Sequence, residues 1–237
     1  SVLILCLPKL QLIYSFGTDK MEIPAEIKTE GDLKVMTFNV RLFDLYNWTH
    51  SEETRQKILR YIKSRKPDVI CFQEFFSSKA RHLDNIADLK AALGMPYYHA
   101  EYSVVKFTSD FYGIATFSKY PLIKGKTIAT KKETTNLSMY SDLIFNHDTI
   151  RIFNCHLQSV KFGSADYRFI ADIQETGKDV DEYRGSLRIL KRLKKAYLYR
   201  AEQARELSLS IEKSPYPVIL CGDFNDTPVS YSYRTIS

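Results

Sequence analysis

The stretch CGDFNDTP, residues 221–228, places Asp223, Asn225 and Asp226 within four positions, directly after an apolar run. A turn alone can account for such polarity, because Asp and Asn side chains bond their own backbone. Three further apolar runs, however, lead into residues of similar chemistry. VMTF is followed by Asn39, VICFQ by Glu74 and IFNC by His156. Each residue also has a plain structural reading: a turn-forming Asn39, a solvated Glu74, a hydrogen-bonded core His156, an Asx-turn at Asp223 and Asn225. Gathered at neighbouring strand ends, where α/β sheets collect their ligands, they offer hard oxygen donors, an imidazole and amide groups. That set suits a divalent cation holding a phosphate ester.

In that chemistry Glu74 suits Mg²⁺, which binds through one or two carboxylates and keeps several waters. Asn39 supplies a carbonyl or orients a ligand without adding charge. His156 donates to a phosphoryl oxygen, Asp223 accepts a proton from an attacking water or orients it, and Asn225 stabilises charge developing on the phosphorus oxygens. Other nucleophile systems lack their residues, for the chain holds no G-x-S-x-G, no P-loop and no cysteine-protease motif.

Strands and helices must alternate to position these groups, and the hydrophobic pattern says that they do. Strands are expected at 33–40, 68–73, 97–101, 113–118, 122–130, 139–146, 149–155 and 217–222. A helix is expected over 51–65, capped by Thr49 or Ser51 and stopped by Pro67, and a second one carries Leu83, Ile86, Leu89 and Leu93. A long third helix covers about 187–211, with Leu187, Leu190, Leu193, Tyr197, Ala201, Ala204 and Ile211 as its apolar stripe. Its first half carries Arg188, Lys191, Arg192, Lys194 and Lys195, read as a solvated face, with an anion-binding surface as the alternative. His147-Asp148 between two strand patterns marks a hairpin. Antiparallel pairs among strand–helix–strand units imply mixed sheets. The stretch 158–186 has no clear period.

The bulk numbers agree with a folded α/β protein. Of 237 residues, 44% are hydrophobic and 26% charged, which argues against extended disorder. A net charge of +6 favours anionic partners. Cys71, Cys155 and Cys221 sit in strand-like runs and read as buried thiols, and with Cys6 they form no metal or disulfide pattern. Residues 1–16 are apolar but shorter than the ~20 residues that span a bilayer. They are expected to be a remnant of a transmembrane or membrane-proximal segment, followed by a polar linker over 17–32.

Five stretches in order carry a family likeness: TFNVR (37–41), ICFQE (70–74), YGIATFSKYPLI (112–123), IFNCHL (152–157) and CGDFNDTP (221–228). Together the chain resembles the endonuclease/exonuclease/phosphatase superfamily of metal-dependent phosphoesterases. The resemblance implies a four-layer α/β sandwich, two packed mixed β-sheets flanked by helices, over residues 33–237. It implies Mg²⁺ or Mn²⁺ and in-line attack of water on a phosphoester. By matched position Asn39 and Glu74 belong to the metal site, His156 contacts phosphate and Asp223 with Asn225 is the catalytic pair; Tyr112 and Asn154 are candidate substrate contacts. Arg200 and Gln203 in YRAEQARELS resemble the family's helix before the GDFN strand.

HLQS and DTPVSYSY look most like membrane-tethered bacterial members, which implies a domain facing the periplasm or cell exterior. The implied partner is a phosphoester: nucleic acid, a phospholipid headgroup or a small diester, with no obligate protein partner. The family pattern continues to R-x-D-Y-I and S-D-H, whereas the sequence stops at YRTIS. The expectation is a fragment short at both ends, with its C-terminal strands missing and little activity. The alternative is a non-catalytic phosphate- or nucleic-acid-binding module on the same fold.

Overall fold

A computed structural model of the chain describes residues 31–106, 110–128, 136–176 and 182–236. The strands are β1 (Val35–Asn39), β2 (Val69–Ser78), β3 (Tyr97–Lys106), β4 (Asp110–Ser118), β5 (Leu122–Ile128), β6 (Ser138–Phe145), β7 (Asp148–His156) and β8 (Val218–Asp223). The helices are α1 (Thr54–Arg65), α2 (Asn85–Leu93), α3 (Ser164–Thr176), α4 (Glu182–Glu212) and α5 (Tyr231–Ile236). One sheet has the order β1-β2-β4-β3 and the other β5-β6-β7-β8. The β1–β2 and β7–β8 pairs are parallel and the remaining pairs antiparallel. Both sheets are therefore mixed, and helices cover their outer faces, as the sequence implies.

Why β2 reads as an unbroken apolar run is plain from its two faces. Ile70 and Phe72 point outward and pack with Ile58, Leu59, Ile62 and Leu89 of α1 and α2. Val69 and Cys71 point the other way, into a layer with Leu143, Phe145 and Ile152 of the second sheet. A strand covered on both sides has no polar face to alternate with. β7 repeats the arrangement: Ile152 lies between the sheets, while Phe153 and Cys155 meet Leu207 and Ile211 of α4. Full burial of each large side chain stabilises the fold by about 1.5–3 kcal/mol. Cys71 and Cys155 are buried free thiols, and Cys221 is half-buried.

Local signals explain several boundaries. α1 begins at Thr54 with no side-chain cap, later than the Ser51 start read from the sequence, and ends on Lys66 in the left-handed conformation before Pro67. Asp84 caps α2 by accepting from the Ala87 N–H, and Gly94 at φ 63° ends it. The β6–β7 hairpin turns on Asn146 and His147, both at positive φ, and Phe145 pairs with Asp148. That is one residue earlier than the pattern suggests, and two left-handed residues make the turn that matches strand twist. Within the unplaced stretch 158–186, α3 forms and is tied to α4 by Asp166, whose buried carboxylate accepts from Arg188 Nε at 2.6 Å and meets Arg192 at 2.9 Å.

α4 departs from its expected stripe. Leu187, Leu190 and Tyr197 are exposed, while Ala196, Arg200, Ala204 and Leu207 are buried. The expected membrane-proximal segment 1–16 and all but the last two residues of the linker 17–32 lie outside the described residues. Among the described residues no helix is long and apolar enough to cross a membrane.

A buried amide holds the two sheets in register. Asn154 on β7 is fully buried; its Oδ1 accepts from Gln73 Nε2 of β2 at 2.8 Å. Its Nδ2 donates to the Phe72 and Ala115 carbonyls at 3.2 and 3.1 Å and reaches Thr116 Oγ1 at 3.3 Å. Gln73 Nε2 also reaches Thr37 Oγ1 on β1. An apolar replacement strands these groups without water, at about 1–3 kcal/mol for each buried group left unpaired. Asn154→Ala is expected to lower unfolding stability by about 3 kcal/mol, read from chemical denaturation; a loss under about 0.5 kcal/mol contradicts this role.

Candidate active site

The ends of β1, β7 and β8 and the bulge within β2 carry the residues that the sequence singles out: Asn39, His156, Asp223 and Glu74. Pairing aligns Asn39 with Gln73 and His156 with Asp223. Glu74 sits where the β2–β4 register shifts between Phe72 and Phe75, with φ 47°. A left-handed residue at a bulge re-aims its side chain out of the strand's alternation. The local strain, about 1–2 kcal/mol for an L-residue there, is borne by the buried phenylalanines on either side. Asn225 also adopts φ 50°, which Asn tolerates.

The two acidic groups come from different sheets and meet through one amide. Asn39 Nδ2 donates to Glu74 Oε1 at 3.2 Å and to Asp223 Oδ2 at 2.9 Å, so the carboxylate oxygens lie within about 6 Å of each other. At that separation two unit charges repel by roughly 3 kcal/mol at an effective dielectric of 20. Asn39 Oδ1 accepts from the Arg41 backbone N–H at 3.0 Å, which fixes the orientation of the side-chain amide. Asp223 Oδ1 accepts from the Asn225 N–H at 2.9 Å, and Asn225 Nδ2 donates to the Leu157 carbonyl at 2.9 Å. The Asx-turn and the site are thus one object.

His156 Nε2 stands 3.9 Å from Glu74 Oε1, beyond hydrogen-bond range. Burial lowers the imidazole below its ordinary 6.5, against the opposing pull of Asp223 and Glu74. The ring is therefore neutral at pH 7 and carries one N–H donor. Beside these groups opens a cavity of about 360 Å³, lined by Asn39, Asp223, Asn225 and Asp226 with Phe38, Phe224 and Tyr233 on its walls.

Of the two expected substrate contacts, one lies away from the site surface. Asn154 is sealed between the sheets with its amide fully engaged, so it supports the site from below instead of reaching its surface. Tyr112 packs on Phe76 at 4.9 Å, beside the Glu74 bulge; like Glu74 and His156 it is not among the residues lining that cavity. Burial and a hydrogen bond with Tyr46 push its hydroxyl up to about 12.

The third polar residue of the opening motif has a separate task. Asp226 Oδ2 accepts from Arg200 Nε at 3.1 Å and from Ser232 Oγ at 3.0 Å, and Arg200 Nη1 donates to the Gln158 carbonyl at 2.9 Å. Arg200 is only 2% exposed, so this buried pair binds α4, α5 and the β7 exit to the loop that carries Asn225. Removing one partner of such a pair is strongly destabilising. The sequence holds the signal, since Arg200 interrupts the apolar stripe Ala196, Ala204, Leu207 with a charge. Gln73, inside an otherwise apolar strand, is the comparable signal for the inter-sheet bridge.

The donor set fits a hard cation. Among the described residues no three His, Cys, Asp or Glu side chains close into a cage. Glu74 beside the uncharged Asn39, with its side chain 36% exposed, offers instead the one-carboxylate, water-rich environment that Mg²⁺ or Mn²⁺ accepts. A cation there also relieves the repulsion between Glu74 and Asp223.

A family model, "Endonuclease/Exonuclease/phosphatase family", matches residues 36–237. The chain belongs to this family. The family consists of phosphoesterases that depend on divalent metal. Among solved structures, sphingomyelinase C from Streptomyces griseocarneus is 20% identical, with TM-score 0.54 over 86% of this chain and 68% of that one. The human Nocturnin catalytic domain, solved with a bound sulfate anion, is 19% identical, with TM-score 0.55 over 85% and 67%. A mutant beta toxin from Staphylococcus aureus with bound magnesium ions is 18% identical, with TM-score 0.51 over 86% and 69%. At these identities the likeness concerns the fold. No curated protein sequence matches.

One glycine sets how closely β8 approaches β7. A Cβ on Gly222, at φ 157°, would stand 2.2 Å from the Cys155 carbonyl oxygen. Gly222→Ala is expected to part β7 from β8 and lower the unfolding midpoint, with Asn225 and His156 amide shifts moving together in NMR spectra. Unchanged stability and unchanged shifts contradict it.

Proposed function

We propose that the chain hydrolyses phosphodiesters by activating water with Asp223 while the phosphoryl group is held between His156, Asn225 and a cation bound at Glu74 and Asn39. The observation that carries this reading is the Asn39 amide joining Glu74 of one sheet to Asp223 of the other. When bound, the cation supplies charge stabilisation at the phosphoryl oxygens. The other tasks fall to the chain's own side chains. Asp223, oriented by two N–H donors, accepts the proton of an approaching water. Neutral His156 donates its N–H to a phosphoryl oxygen, and the Asn225 amide adds a donor where charge develops. Among the solved relatives are a sphingomyelinase and a TDP2 complexed with single-strand DNA product, which keeps both lipid-headgroup and nucleic-acid diesters among the substrates considered.

The resemblance to tethered bacterial members supports a membrane-anchored protein with this domain outside the inner membrane. Non-catalytic binding is the competing outcome.

The test is hydrolysis of plasmid DNA, sphingomyelin and a simple aryl diester, with Mg²⁺ and with chelator. Asp223→Asn is expected to lower kcat by at least about 100-fold with an unchanged unfolding midpoint. Glu74→Gln is expected to raise the Mg²⁺ needed for half-maximal rate at least about tenfold. Metal-independent turnover, or full activity in Asp223→Asn, overturns the assignment.

A further inference from the structure

The first half of α4 presents a face of exposed apolar and basic side chains. Leu190 and Leu198 are 57% and 60% exposed, and Leu187 and Tyr197 stand out beside them. Lys191, Lys194 and Lys195 are exposed on the same side. Helical spacing stacks Leu187, Leu190 or Lys191, Lys194 and Leu198 along one stripe of about 16 Å. Between Tyr183 and Ala201 the sequence has no Asp or Glu. Arg188 and Arg192, by contrast, turn to the buried Asp166 and are not part of the stripe. The helix thus sorts its cations into an anchored pair and an outward lysine set.

We propose that this face of α4 docks on an anionic lipid bilayer surface, lying in the interface with its leucines in the headgroup–acyl boundary and its lysines among the headgroups. Leucines interleaved with lysines on one exposed stripe meet the requirements of interfacial binding: apolar area to bury and positive charge to attract the surface. A nucleic-acid backbone matches only half of this, since phosphate contacts use the lysines and leave Leu190 and Leu198 without a partner. A second copy of the chain would bring the same three lysines against each other. The proposal is independent of the hydrolytic reading, because no residue of the stripe lines the cavity. Two residues beyond Leu198, Arg200 binds Asp226, so a docked α4 would hold the cavity loop at a set height above the surface.

The test uses the full 237-residue chain and sedimentation with phosphatidylcholine vesicles containing or lacking 30% phosphatidylglycerol. Because residues 1–16 are apolar, the comparison is between the chain and two variants that share them. Lys191→Glu with Lys194→Glu and Lys195→Glu is expected to abolish the preference for phosphatidylglycerol, weakening binding to those vesicles at least tenfold. Leu190→Ser with Leu198→Ser is expected to weaken it similarly while the salt dependence persists. Circular dichroism on both variants checks that α4 stays folded, and Lys191→Gln with Lys194→Gln serves if charge reversal unfolds it. Vesicle binding equal in chain and variants overturns the proposal. So does tighter binding of a 20-mer DNA than of vesicles that the lysine variant alone removes, or a concentration-dependent dimer that the leucine variant dissolves.

Discussion

Two carboxylates carried by separate sheets are held near each other by one uncharged amide. Asn39 Nδ2 bonds Glu74 and Asp223 together, although their charges repel. Without the amide the two strand ends have an electrostatic reason to part, and without the fold behind it the amide has nothing to hold. The rest of the described structure is built to enforce this meeting. Asn154 and Gln73 fix sheet against sheet below the site, and Gly222 lets β8 close on β7. The Glu74 bulge turns its carboxylate out of the apolar strand.

Helices contribute by anchoring what the sheets leave loose. The loop after β8 would be free to swing were Asp226 not buried against Arg200 and Ser232. Asn225 is bonded in turn to the Leu157 carbonyl, and Gln203 of α4 accepts from the Gln158 N–H beside it. Helix, strand exit and loop therefore form one bonded unit around the catalytic candidates. A buried ion pair of this kind is weak evidence for stability but a firm constraint on geometry, because its alternatives leave a charge unpaired.

Much of this was legible in the chain. Apolar runs ending in Asn39, Glu74, His156 and Asp223 pointed to the candidate site, and the strand periodicity located six of the eight strands to within three residues at both ends; β2 runs on past Glu74 because a bulge re-aims the residue without ending the strand, and β3 runs on to Lys106. What the pattern could not show was direction. Asn154 has the residue type of a substrate contact, yet its place two residues inside the strand end buries it between the sheets, below His156 on the same face. Asp226 has the type of a catalytic acid, yet a buried guanidinium claims it. α4 shows the same limit, since Leu187, Leu190 and Tyr197 belong to the apolar stripe at helical spacing and yet face outward. Periodicity gives a stripe but not what lies opposite it.

The most direct measurement is the position of an anomalous scatterer in crystals soaked with Mn²⁺. The structure predicts a peak in ligand range of the Glu74 carboxylate, with Asn39 and Asp223 around it and the peak lost in Glu74→Gln. A Mn²⁺ position remote from these side chains, or Glu74 and Asp223 found on opposite sides of the molecule, would contradict the account at its root.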